Sequence, residues 1–340
     1  MTRRQLLQRG AYSLAAFGLI AAGCGSTTTT STPSTTTSPT TSASSAGLAG
    51  TLTVYAALTA ANGKALQTAF QQANPKAQVS ILTSGSGALL SRVEAEQKAG
   101  GVNADILLLA DPTAVAGLDA QGLLAHSLPA AADALPASLR GPAWFAPFTF
   151  SNVLLAHKGM SAPAPKDWPD LTQAVYKGRV EIGNPGYSGT TLAMVGVLSA
   201  KLGWSYFTDL RQQGTAVVQS TNTVGTDVAS GAKWVGISLD AVGRPLIGQG
   251  SPVDMIWPSS GTITVPAPAA LIKGKQSALA QGFLAWLLTD PAQAVFAKSG
   301  LSAVTGASAG PSHPELPVDW ASLTSNRNAI IQHFNQIFGL

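Results

Sequence analysis

Charge and cysteine are both scarce in this chain. Of its 340 residues only 11% are charged, and Cys24 is the single cysteine. One cysteine excludes an internal disulfide, and no histidine/cysteine grouping has the spacing of a zinc site. No cluster of Lys and Arg interleaved with aromatics is present, which argues against nucleic acid as a partner. The 35 glycines and 21 prolines follow no period and no internal repeat is visible, so collagen-like and solenoid folds are excluded. What remains is 45% hydrophobic, ample for a sizeable core and long enough for two domains.

The N-terminus reads as an export signal. Arg3, Arg4 and Arg9 precede an apolar run over residues 11–22, and the small residues Ala21, Ala22 and Gly23 precede Cys24. The run is too short to span a bilayer, which needs roughly 20 apolar residues. Ala21-Ala22-Gly23-Cys24 resembles a bacterial lipobox, although Ala21 stands where leucine is usual; the resemblance implies cleavage after residue 23 and a lipid on Cys24. Thr2-Arg3-Arg4-Gln5-Leu6-Leu7 resembles a twin-arginine signal, so export by either the Sec or the twin-arginine route is open. Without the three arginines, 17 basic residues face 16 acidic ones, and the mature chain is close to neutral. Residues 25–49 are nearly all Ser, Thr, Pro, Gly and Ala, a composition that cannot bury enough apolar surface to order itself. The expectation is a signal peptide over 1–23, then a lipidated cysteine and a disordered linker over 24–49.

From residue 50 the pattern changes to strands alternating with helices. Residues 51–57 and 78–82 are β-rich, and an amphipathic helix over 63–73 lies between them. Ser86 can cap a helix over 87–98, and a third strand follows over 104–109. This βαβ order predicts a mainly parallel sheet. A second such unit follows with strands at 180–183, 217–218 and 234–239 and a helix over 190–202. The chain ends in helices over 277–288, 291–299 and 325–338. Two long extended stretches, 148–155 and 253–265, read as crossings between two lobes. The predicted fold class is therefore α/β with two lobes, one built from 50–148 plus 262–340 and the other from 149–258.

The order of segments resembles the periplasmic-type binding proteins of ABC importers, in the type II group that takes up ferric iron, 2-aminoethylphosphonate and sugar phosphates. The resemblance covers most of residues 51–300. It is carried by Leu52-Thr53-Val54-Tyr55, by Ser84-Gly85-Ser86-Gly87 with Arg92 and Glu96, by Ala104-Asp105-Ile106 and by Lys166-Asp167-Trp168-Pro169-Asp170-Leu171. Tyr176-Lys177-Gly178, Asn184-Pro185-Gly186-Tyr187-Ser188-Gly189-Thr190-Thr191, Val228-Ala229-Ser230-Gly231, Pro258-Ser259-Ser260-Gly261-Thr262 and Leu287-Leu288-Thr289-Asp290-Pro291 complete it. The resemblance implies a monomeric, extracytoplasmic solute-binding lipoprotein that hands its ligand to permease and ATPase subunits. It implies no catalysis and no cofactor.

Two helix starts are the best candidates for an anion. In Ser84-Gly85-Ser86-Gly87 and again in Ser188-Gly189-Thr190-Thr191, free amides and hydroxyls can hold a phosphonate, phosphate or carboxylate. Plain N-capping is the commoner use of such residues. Thr59 lies at the carboxyl end of the first strand, where ligands of α/β sheets bind. Asp111 and Asp240 follow strands in the same way; Asp240 could pair with an ammonium group, or serve as a surface or capping aspartate. Tyr187 and Trp144 could wall the cleft. The iron-binding relatives carry a histidine near the position of Thr59 and adjacent tyrosines near Leu239-Asp240-Ala241; both are missing here, which counts against ferric iron as the ligand. No metal site is expected. Gly186-Tyr187-Ser188-Gly189-Thr190 nearly matches a nucleophile elbow, but none of the four histidines is flanked as a triad base would be. The leading expectation is a small anionic or zwitterionic solute, organophosphonate- or organophosphate-like. Ferric iron, a serine hydrolase and a sensory lipoprotein are the alternatives.

Overall fold

The computed structural model describes residues 47–305 and 313–340. The expected signal peptide, Cys24 and nearly all of the linker lie outside the described residues. The first sheet is built from β1 (Gly50–Ala56), β2 (Ala77–Thr83), β3 (Ile106–Leu108) and β4 (Trp144–Phe145), joined by α1 (Ala60–Ala73) and α2 (Ser86–Lys98), with α3 (Pro112–Ala120) after β3. β2 and β3 flank β1 in parallel, as a βαβ pattern requires. β1 is buried on both faces: Leu52 and Val54 point into one core, Tyr55 into another.

β5 (Phe148–His157) leaves this sheet for the second. Phe148 and Phe150 pack in the first core, and Leu154 packs in the second. The second sheet adds β6 (Val180–Gly183), β7 (Ala216–Val218), β8 (Val235–Leu239), β9 (Val253–Ile256) and β10 (Ile263–Pro266). α4 (Gly189–Leu202), α5 (Trp204–Gln212), α6 (Thr221–Ser230) and α7 (Asp240–Gly248) pack around it. β10 runs antiparallel to β5 and carries the chain back to β11 (Ala269–Leu271), which inserts between β3 and β4. α8 (Ala278–Trp286), α9 (Asp290–Lys298), β12 (Ser302–Ala303) and α10 (Trp320–Phe338) follow.

The two expected crossings are thus β5 and β10, and the two-lobe α/β class stands. The sheets are mixed rather than mainly parallel. Only the strands of the βαβ units are parallel; β5 and β11 enter from the opposite lobe and pair antiparallel, as β10 does with β5. The extended stretch over 253–265 is split in two at Pro258, where Gly261 adopts φ +114° and its amide bonds back to the Pro258 carbonyl. Such a positive φ suits glycine alone.

The C-terminal boundary departs from the expected one. α8 and α9 do pack on the first sheet, where Phe70 meets Phe283 and Trp286 edge-on at 4.9 and 5.2 Å. β10 and β12 instead pair with β5, and α10 buries Leu323, Phe334 and Phe338 in the core of the second sheet. The helix spacing of α10 is legible in sequence, but the face it covers belongs to the other lobe. No helix among the described residues is long and apolar enough to cross a membrane.

One buried carboxyl makes this second core sensitive to pH. Glu181 of β6 is buried and its Oε2 has no hydrogen-bond partner. Burial, then the nearby Asp227 carboxylate, pushes its pKa up to about 7 from an ordinary 4.5. The folded chain therefore holds this proton more tightly than the unfolded one. The resulting stabilisation is complete below pH 4.5 and is lost as pH rises toward about 7. Melting temperature should fall between about pH 5 and about pH 8, and Glu181→Gln should flatten that fall and melt above the parent at the upper end. Equal slopes in parent and variant would discount the carboxyl.

Candidate functional site

A cavity of about 430 Å³ lies between the two sheets. Five helices begin on its wall; the start of α7 carries its own Asp240 carboxylate, and the other four, two from each lobe, have no acidic residue in the first turn. α1 follows β1 with Thr59 as N-cap, its Oγ1 accepting the Asn62 amide at 3.2 Å. α2 follows β2 with Gly85 as N-cap and no side-chain cap. α4 follows β6 with Ser188 as N-cap, its Oγ accepting the Thr191 amide at 3.3 Å and lying 2.9 Å from Thr190 Oγ1. α6 follows β7 with Ser220 as N-cap, bonded from the Thr223 amide at 3.2 Å. Each helix presents the positive end of its dipole, with amides that have no partner inside the helix.

The wall carries no charged side chain. Its polar groups are hydroxyls, among them Thr83, Ser84, Ser86 and Thr221, and the amides of Asn62, Gln219 and Asn222. Phe150, Leu58, Leu239, Val242 and Leu301 supply the apolar part. A cleft lined by neutral donors at four positive helix ends can hold negative charge without a cation. It offers no carboxylate to a positive charge.

The structure brings together Thr59, Ser84, Gly85, Ser86, Tyr187, Ser188, Gly189 and Thr190, all on this wall. Ser86 is not the N-cap expected of it. It sits inside the first turn of α2, and its Oγ accepts the Ala110 amide at 3.1 Å, which leaves the hydroxyl proton to donate. Tyr187 is half exposed at the rim. Trp144 lies in β4, away from the wall.

Three expected residues are used elsewhere. Thr191 is buried beneath α4 with its hydroxyl toward the Gly183 backbone of β6. Asp111 caps α3: Oδ1 accepts the Thr113 hydroxyl at 2.6 Å and the Ala114 amide at 3.1 Å, and Oδ2 pairs with Arg327 at 3.1 Å. Asp240 is fully buried. Its Oδ1 accepts the Ser151 and Ala241 amides at 2.9 and 2.8 Å, and its Oδ2 accepts the Ser302 hydroxyl at 2.9 Å and meets Arg244 at 3.1 Å. Burial pushes the Asp240 pKa up, against the opposing pull of the Ser151 amide and Arg244. Both carboxylates are saturated by protein partners and turn away from the cavity.

The α6 start was missed by sequence reasoning, although Ser220-Thr221-Asn222-Thr223 directly after a short strand is a capping signature. Among the described residues no group of three or more His, Cys, Asp or Glu stands close enough to hold a metal ion.

Comparison with known proteins agrees with this architecture. The chain is 30% identical over 155 residues to the probable ABC transporter periplasmic-binding protein y4fP of Sinorhizobium fredii, a match spanning 44% of this chain and 42% of that relative's length. The periplasmic binding protein P5PA superposes with a TM-score of 0.75 at 18% identity, over 85% of this chain and 99% of that one. AfuA of Actinobacillus pleuropneumoniae, solved with fructose-6-phosphate bound, gives 0.74 at 21% identity over 85% and 98%. Iron-bound HitA of Pseudomonas aeruginosa gives 0.71 at 21% identity over 84% and 99%. These likenesses establish a periplasmic-binding-protein fold. Residues 51–302 also match the family model described as bacterial extracellular solute-binding protein, and the chain belongs to that family.

Proposed function

We propose that this chain is the solute-binding component of an ABC importer and that its solute is a compact anion with a tetrahedral oxyanion head, such as a phosphate or phosphonate. The observation that carries this reading is the convergence of four helix starts on one cavity that lacks any charged side chain. Amides and hydroxyls in such numbers solvate an oxyanion well. A zwitterion such as an aminophosphonate fits less closely, because no carboxylate stands on the wall to meet its ammonium. The same absence disfavours ferric iron, since Tyr187 is the one phenol on the wall and no imidazole accompanies it. It disfavours hydrolysis too, because Ser188 has no histidine beside it to act as base.

On this reading Cys24 carries the lipid and the Ser/Thr-rich segment after it is a tether at the outer membrane surface of the importer. Permease and ATPase subunits are the partners, and the y4fP match supports that assignment. Closure of the two lobes around the solute would be the signal for docking.

A thermal-shift series tests the ligand class. Inorganic phosphate, methylphosphonate, 2-aminoethylphosphonate, sugar phosphates, sulfate and a ferric salt would be compared. A ligand at 100 times its dissociation constant adds about 2.7 kcal/mol to stability, a shift of several degrees. The expected result is a shift with one or more phosphoryl compounds and none with the ferric salt. A shift with iron alone would replace the oxyanion reading with iron uptake.

A further inference from the structure

The loops that border the cavity also touch one another across it. The Gly87 amide of α2 donates to the Tyr187 carbonyl at 3.1 Å. α2 packs on the first sheet through Leu89 and Val93, whereas Tyr187 leads into α4 on the second. The approach is so close that a Cβ on Gly87 would stand less than 3.0 Å from Gly186 O and Tyr187 Cα. The same holds for a Cβ on Gly189 against Ala110 O and the Asp111 side chain.

Beside these contacts, Arg327 of α10 pairs with Asp111 at 3.1 Å. Asp111 caps α3, whose Val115 and Leu118 pack behind the first sheet, and α10 is seated in the core of the second. The Asp111 side chain is 1% exposed and that of Arg327 only 24%, so water screens this pair weakly. Gly87 and Arg327 do not line the cavity. Rotation of one sheet away from the other about β5 and β10 would break the Gly87–Tyr187 bond and the Arg327–Asp111 pair while leaving each core intact.

We propose that Gly87 and the Arg327–Asp111 pair form a seam that sets the fraction of the protein in the closed state. They act as positioning residues: they raise the affinity of the cavity for its solute without touching it. This rests on the reading that the cavity opens and closes around a solute. A protein whose binding-competent state is only partly populated binds more weakly by that fraction, so the seam and the ligand groups contribute separately to the observed dissociation constant.

The test is a distance measurement between spin labels on the two lobes of the full chain, with Cys24→Ser and with Lys98→Cys on α2 and Lys201→Cys on α4 as label sites. The parent should show a short-distance population. Gly87→Ala and Arg327→Met should each lower its ratio to the long-distance population by roughly tenfold. Asp111→Asn keeps the cap of α3, because Asn caps as well as Asp, and should match Arg327→Met; the two together should add nothing further. Gly87→Ala should melt within a few degrees of the parent, because the helix preference of alanine over glycine offsets the lost contact with the Tyr187 loop. That pairing of near-parental stability with lost closure is what a merely structural role would not produce. Distance distributions equal to the parent's in these variants, or a parent with no short population, would overturn the seam. If inorganic phosphate binds, its dissociation constant should rise in the variants in proportion to the closed fraction lost. If phosphate shifts no melting temperature, the oxyanion reading is weakened, while the label distances still decide the seam.

Discussion

Ser188→Asp is expected to abolish anion binding and leave the fold as stable as before, or more so. Aspartate replaces serine well as an N-cap, and its charge suits the positive end of α4. Stability alone would therefore favour the change. In the cavity the same carboxylate would stand beside Thr190 Oγ1, among the helix ends proposed to hold the solute. Like charges brought together cost several kcal/mol, on the order of a thousandfold in affinity. Ser188→Ala removes one donor instead and should weaken binding by roughly 10- to 100-fold, as for a hydrogen bond to a charged group; its lost cap should cost about 1 kcal/mol. Calorimetric titration with the best phosphoryl compound measures both. A cationic solute reverses the sign of the first effect, so Ser188→Asp binding more tightly than the parent would exclude an anion.

The largest loss of stability is expected from Asp240→Ala. This carboxylate ties together β5 through the Ser151 amide, β12 through Ser302 and its own helix α7 through Ala241 and Arg244. Its removal leaves the Ser151 amide buried without a partner and Arg244 without its counter-charge. Arg244, 39% exposed, is solvated by water once the carboxylate is gone, so the cost is that of the stranded buried donors, about 1–3 kcal/mol, and a chain of this size should then melt several degrees lower. Asp240→Asn keeps an acceptor for the two amides and should lose less. Both variants should bind solute within a few-fold of the parent, because the carboxylate does not reach the cavity. Denaturant unfolding reads the first effect, and a loss under about 1 kcal/mol would contradict the clamp.

Those two aspartates show where sequence reasoning stops. A carboxylate just after a strand stands at the end of the sheet where ligands bind, and Asp111 and Asp240 both do. Which way each points is decided by a partner far along the chain: Arg327 is 216 positions from Asp111, and Ser151 is 89 positions from Asp240. No local pattern carries that information. The helix starts were legible because the signal is local. Glycine and hydroxyl residues directly after a strand specify a tight turn and a cap, and Ser84 to Ser86 and Ser188 to Thr190 do reach one wall.

The elements divide in the same way. β1, α1 and β2 follow from hydrophobic period, and α2 from the Gly/Ser turn that starts it. α6 has a central Gly225, and α7 contains Gly243 and Pro245, so residue propensity speaks against a helix at either, although apolar residues do recur at helical spacing. They are held by packing: Val224 and Val228 of α6 are buried against Val153 and Leu155 of β5. The seating of α10 on the second sheet was hidden for the same reason as the aspartates, since an apolar helical face does not say which core it covers.

The position of β11 has a consequence for the nascent chain. In the first sheet the order is β2-β1-β3-β11-β4, so the strand beside β3 is synthesised some 160 positions after it. Until residue 271 has emerged, β3 presents an unpaired edge of Ile106, Leu107 and Leu108. An open apolar edge of that kind invites pairing with other chains. Most of the polypeptide must therefore be available before this half can seal itself, wherever the chain folds.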